Sequence, residues 1–156
     1  ETVTMAVPGP PTSALVRAAG WAEAAVLVAS LTDRDRIATP EGAWAEAGYD
    51  GAAIRVTVSC GAVLDAVVLR SFVIGATHQA YGWVTSEGLA VGADGEVLDL
   101  TIRSFGIVRA ADLPRVEVEI VPSDSEAVRA SDAVFAAVAA AVWRRTGYVP
   151  DWPVAP

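Results

Sequence analysis

Residues 53–83 read AIRVTVSCGAVLDAVVLRSFVIGATHQAYGW, and the period of the apolar side chains changes partway along. Ile54, Val56 and Val58 alternate with Arg55, Thr57 and Ser59. That two-residue repeat is the mark of a strand with one buried face. Cys60-Gly61 ends it. From Val63 to Gly88, apolar and small residues return at helical spacing: Leu64, Val67, Val68, Phe72, Gly75, Ala76, Gln79, Ala80 and Trp83. Gly75 and Gly82 each weaken a helix by about 1 kcal/mol relative to Ala. Glycines kept inside a helix usually let another backbone come close, so this spacing predicts a central, tightly packed helix.

Downstream, Leu89 to Val91 is short and extended, and Gly92-Ala93-Asp94-Gly95 is a turn. Val97, Asp99, Thr101 and Arg103 alternate with Leu98, Leu100 and Ile102, which predicts a second strand. Val116, Val118 and Ile120 alternate with Glu117 and Glu119, which predicts a third, closed by Pro122. Ser123 to Glu126 has the S-x-x-E form of a capping box and is expected to open a long Ala/Val helix running to about Thr146, stopped by Gly147. Tyr148 to Pro156 is an irregular tail.

Upstream, Thr12 and Ser13 offer an N-cap for a helix over Ala14 to Ala19, with Gly20 as its stop. Ala24 to Leu31 is an apolar run of strand length, with a short helix as the alternative. Thr32 to Gly51 reads as polar loop, with a turn of helix possible over Pro40 to Gly48. Residues 1–12, with Val7-Pro8-Gly9-Pro10-Pro11, are a loose lead-in, and 13–156 are expected to form one domain. The class is α+β: a small mixed sheet packed against two long helices.

Composition closes off several chemistries. The 156 residues carry 19 Asp and Glu against 11 basic residues, a net charge of −8, so there is no basic surplus for a phosphate backbone and no nucleic-acid partner is expected. Every basic residue is Arg, which excludes Schiff-base lysines and P-loop phosphate binding. One Cys and one His exclude internal disulfides and Cys- or His-based metal cages. The longest apolar stretch, Ala133 to Trp143, is too short to span a bilayer. The chain opens on Glu1 without a basic start, which is read as no export signal, a trimmed or processed chain, and a cytoplasmic setting.

Few side chains invite chemistry. His78 sits mid-helix, either an acid/base or a partly buried packing residue. Cys60, at a strand end, is a small buried hydrophobe or a reactive thiol. Asp33/Asp35 and Glu117/Glu119 are close carboxylate pairs, the second on the outward face of a strand and so solvated.

The order of elements over 54–120 resembles the C-terminal part of the molybdopterin-binding subunit of the xanthine dehydrogenase/aldehyde oxidase family, the molybdenum hydroxylases. There a strand ends in a D-C-G-like turn, then comes a helix of the form Q-x-E-G-x-x-x-Q-G-x-G-x-x-x-x-E, then an extended I-P-T-A-x-D-x-P segment. Ser59-Cys60-Gly61, Gly75, Gln79, Gly82, Glu87 and Ala111-Asp112-x-Pro114 fall in matching places, as do Thr146-Gly147 and Pro153 in the tail. The resemblance runs from about Ala53 to the end and implies hydroxylation of an aromatic heterocycle or aldehyde, with water as oxygen source. A molybdenum–pterin centre would carry that reaction. It implies cofactor-contacting roles for Gly75 and Gln79, and a catalytic base in a turn before the last long helix, where Glu126 falls. Read from the residues alone, Glu126 is a helix-capping Glu paired with Ser123.

The departures are specific. Phe72 stands where the family has its pterin-contacting Gln, and Ile74 where a Glu follows it; the G-x-G-E turn is replaced by Pro122-Ser123-Asp124-Ser125-Glu126. The family's subunit is also several times longer. The expected function is therefore a small subunit or truncated relative of a molybdenum hydroxylase, inactive as an isolated chain. No cofactor is expected in that chain, and molybdopterin and molybdenum only with a larger molybdopterin-binding partner. The alternative is a stand-alone, non-catalytic binding or scaffolding domain, with a second copy of itself as a candidate partner, whose cofactor site has been lost.

Overall fold

The computed structural model describes residues 14–98, 101–102 and 104–153, with side chains described from Gly20 onward. The elements run α1 (Ala14–Thr32), β1 (Arg36–Ala38), β2 (Trp44–Tyr49), β3 (Ala53–Ser59), α2 (Ala66–Thr85), β4 (Arg115–Ile120) and α3 (Ser131–Arg145). The sheet order is β1-β2-β3-β4, antiparallel except for the parallel pair β3–β4. A parallel pair needs a long crossover, and α2 supplies it. The class is α+β with a mixed sheet, as the periodicities imply.

The sheet buries one face. Ile54, Val56 and Val58 of β3 point at the helices beside Ala45 and Ala47 of β2. The other face is a polar ladder: Arg55 bridges Asp50 and Glu117, Arg115 also reaches Glu117, and the Thr57 hydroxyl donates to Glu119. Against the inner face lies α3, buried at Ala133, Val134 and every residue from Ala136 to Val142. Alanine keeps α3 thin enough to sit between the sheet and the flanking α1 and α2, which both pack on it. Asp132 in its first turn and Arg144 and Arg145 in its last match the helix dipole.

The N-cap of α2 is Asp65, whose carboxylate accepts from the N–H groups of Val67 and Val68 at 2.8 and 3.0 Å. Its inner face is Val73, Ala76, Thr77, Ala80, Tyr81 and Val84. Among the described residues no helix is long and apolar enough to cross a membrane.

Four expectations are corrected. Ala24 to Leu31 is not a strand, and Gly20 is not a stop: α1 runs through both, burying Ala22, Val26 and Ala29 as one stripe at helical spacing. Thr32 to Gly51 is not loop but holds β1 and β2, with Pro40 in the turn between them rather than in helix. Val97 contributes only an isolated bridge to Val91, and Leu98 and Ile102 are exposed rather than on a buried strand face; Asp99, Leu100 and Arg103 lie outside the described residues. Ser123 to Glu126 caps nothing: α3 starts at Ser131 with Ala130 as N-cap, and residues 121–130 are irregular chain held to β3 and its exit by Val121 N–H to Val58, Ser123 N–H to Gly61 and Val128 N–H to Cys60. The lead-in 1–12 and the cap at Thr12 and Ser13 also lie outside the described residues.

Candidate functional site

The polar residues with a claim to chemistry are mostly engaged in structure. Cys60 is a free thiol buried at the end of β3, and burial pushes its pKa up, away from thiolate reactivity. His78 meets the carbonyl oxygen of Val108 at 2.6 Å. A carbonyl only accepts, so Nε2 carries the hydrogen, and the ring ties α2 to the strand-ward loop. Glu87 folds back over Gly82, where a Cβ would overlap its carboxylate; burial raises its pKa, and nearby His78 offsets part of that. Asp33 and Asp35 both face the Arg144 guanidinium, which also donates to the Tyr148 hydroxyl at 3.0 Å. Among the described residues no three His, Cys, Asp or Glu side chains are grouped to hold a metal ion.

An apolar concavity lies between the first half of α2 and residues 127–131. It is a groove of about 390 Å³ whose walls include Cys60, Leu64, Val68, Phe72 and Val128, with Asp65, Arg129 and Ser131 at its rim. Leu64 is 87% exposed, Val67 79%, Phe72 62% and Val68 49%. The periodicity correctly placed them on a helix or its approach but not on a buried face.

None of the three expected site residues, Gly75, Gln79 and Glu126, lines this groove. Phe72, Gly75 and Gln79 follow Val68 at steps of four, three and four, which aligns them along one flank of α2. Gly75 and Gln79 are exposed, and a Cβ on Gly75 would meet nothing within 4 Å. Glu126 is exposed on the far side, just before the chain enters the groove wall at Ala127. Its backbone carbonyl is pressed against Gly61, whose φ of +79° only glycine adopts readily. Among the described residues no hydrogen bond or ion pair joins Glu126 to Gly75 or Gln79. The far wall, Ala127 to Ala130, went unseen in the sequence because the S-x-x-E pattern assigned it to helix.

No family model matches the chain, and no curated protein matches it in sequence. Solved structures do match in fold. Quinoline 2-oxidoreductase from Pseudomonas putida 86 matches with a TM-score of 0.51 at 17% identity, over 65% of this chain and 14% of that one. The Cu,Mo-CO dehydrogenase in its carbon monoxide reduced state matches at 0.49 and 12%, over 64% of this chain and 14% of that one, a score too low to bear on the fold. This chain thus spans about one seventh of the length of the structures it matches, and shares the α+β fold of one part of quinoline 2-oxidoreductase.

Proposed function

We propose that this chain is a small subunit or truncated relative of a molybdenum hydroxylase, an oxidoreductase-type domain that does not turn over substrate as an isolated chain. The observation that carries the proposal is the fold likeness to a 14% portion of quinoline 2-oxidoreductase, independent of the motif resemblance over Ala53 to Pro153. A domain of that size holds only part of a pocket, so a larger molybdopterin-binding chain would supply the remainder.

A pterin needs hydrogen-bonding partners. At the places where the family pattern puts them, this chain offers Phe72 and Ile74, both exposed and apolar. The neighbouring Asp65 carboxylate is spent on two helix N–H groups. Gly75 permits close approach and the Gln79 amide is available, but the flank as a whole does not fit a pterin, and no reaction step is derived through one. That misfit favours the second reading, a non-catalytic binding or scaffolding domain whose cofactor site has become apolar surface.

Purification from the natural host separates the two. In the split-enzyme reading molybdenum and a large chain co-purify with this one, and Glu126→Gln abolishes turnover of the complex while leaving assembly intact. A metal-free preparation without any larger chain sinks that reading and leaves the non-catalytic one.

A further inference from the structure

We propose that the outer face of α2 is the interface of a two-fold symmetric dimer of this chain, its axis passing near Val68, with the two α2 helices antiparallel. The face is unlike the rest of the surface. Val67, Val68 and Phe72 on the first turns of α2, and Leu64 just ahead of its N-cap, stand half to mostly exposed, while the other side of the helix is packed. Together they present on the order of 500 Å² of apolar surface, and two such faces in contact bury about 1,000 Å², the lower bound for a specific interface.

A two-fold axis makes the patch its own complement. Antiparallel helices crossing at Val68 bring Leu64 of one copy onto Phe72 of the other, twice. The groove lined by Leu64, Val68, Phe72 and Val128 lies directly beside these positions and receives the partner's projecting side chains. One turn along, the open space over Gly75 lets the partner's chain close in without obstruction.

Charge permits the contact. With a net charge of −8, two copies repel over most approaches. On this face the Asp65 carboxylate is already bonded to the Val67 and Val68 N–H groups, and across the groove the exposed Glu126 stands three residues from Arg129, a groove-lining cation of opposite charge. Glu46, Glu117 and Glu119 lie on the outer face of the sheet, away from the contact. The contact covers the start of α2 as far as Phe72 and leaves Gln79 outside it, and the dimer stands or falls without reference to molybdenum.

The test is sedimentation equilibrium of the purified chain, with Val68→Cys as a probe of geometry. The expected result is a monomer–dimer equilibrium that Phe72→Asp weakens about 100-fold. Because Phe72 is exposed, the variant's urea unfolding at low concentration stays as in the parent. Mild oxidation joins two Val68→Cys chains through a disulfide and leaves Gln79→Cys chains unjoined; buried Cys60 does not compete. A chain that stays monomeric, a dimer indifferent to Phe72→Asp, or cross-linking at residue 79 and not 68 each overturns the proposal. So does a native preparation in which a larger chain, not a second copy, protects α2 from hydrogen exchange.

Discussion

Gly61 has no room for a side chain. Its φ is +79°, and a Cβ would overlap the carbonyl oxygen of Glu126. Gly61→Ala is therefore expected to cost about 2–4 kcal/mol in urea unfolding, from backbone strain plus displacement of the groove wall. Glu126→Gln, at an exposed carboxylate that caps nothing, should change stability by less than about 0.5 kcal/mol. A larger loss would restore a structural role for that side chain. Asp50 gives a residue-level pH signature. The N–H groups of Ala53 and Ala52 and the Arg55 guanidinium hold its carboxyl down to about 2, from 3.8. A lowered folded-state pKa means stability that is present above 3.8 and lost as pH falls through about 2. Asp50→Asn should lower the urea midpoint near neutrality, with the gap to the parent closing toward pH 2; a gap that does not vary with pH would locate the effect elsewhere. The sequence marked Gly61 as a strand stop, but nothing in it announced that Glu126 would pack its backbone there.

At the scale of elements, legibility followed side-chain size. β3 and β4 were read from Ile and Val alternating with polar residues, and α2 from its helical repeat. β2 was missed because its inward residues are Ala45 and Ala47, and alanine is no strand former. They are small because α3 lies close above them, a tertiary fact with no local trace. α1 hid its buried stripe of Ala22, Val26 and Ala29 inside a run whose outward residues, Leu27, Val28 and Leu31, are equally apolar. The same close packing sets a prediction. Ala139 is fully buried in α3 between the sheet and the flanking helices. Ala139→Leu should destabilise by about 1–3 kcal/mol or more through overpacking, despite leucine's good helix propensity. If chemical denaturation shows no loss, α3 has space around it that this packing denies.

Over the whole molecule, one side is finished and the other is not. The outer face of the sheet pairs its charges, whereas the segment between α2 and β4 exposes Leu89, Val91, Leu98, Ile102 and Ile107. The alternation over 97–103 predicted a strand because it is amphipathic; no further strand among the described residues takes it up, and Val97, Leu98 and Ile102 are exposed. These residues are separate in sequence from the α2 face, so a dimer through α2 does not by itself account for them. Under the proposed split-enzyme reading, they are the surface that the larger chain would cover. The folded chain should therefore bind the dye ANS at neutral pH while its near-UV circular dichroism stays native, which separates surface binding from a loosened core. Replacing Leu89, Leu98 and Ile102 by Ser should cut the fluorescence and leave the urea midpoint within about 0.5 kcal/mol equivalent of the parent, since exposed side chains contribute little to the core. Addition of a genuine larger partner should quench the dye to the same degree. Fluorescence no higher than that of the triple variant would mean that this segment folds its apolar residues inward, and the case for a second polypeptide on that side would fall with it.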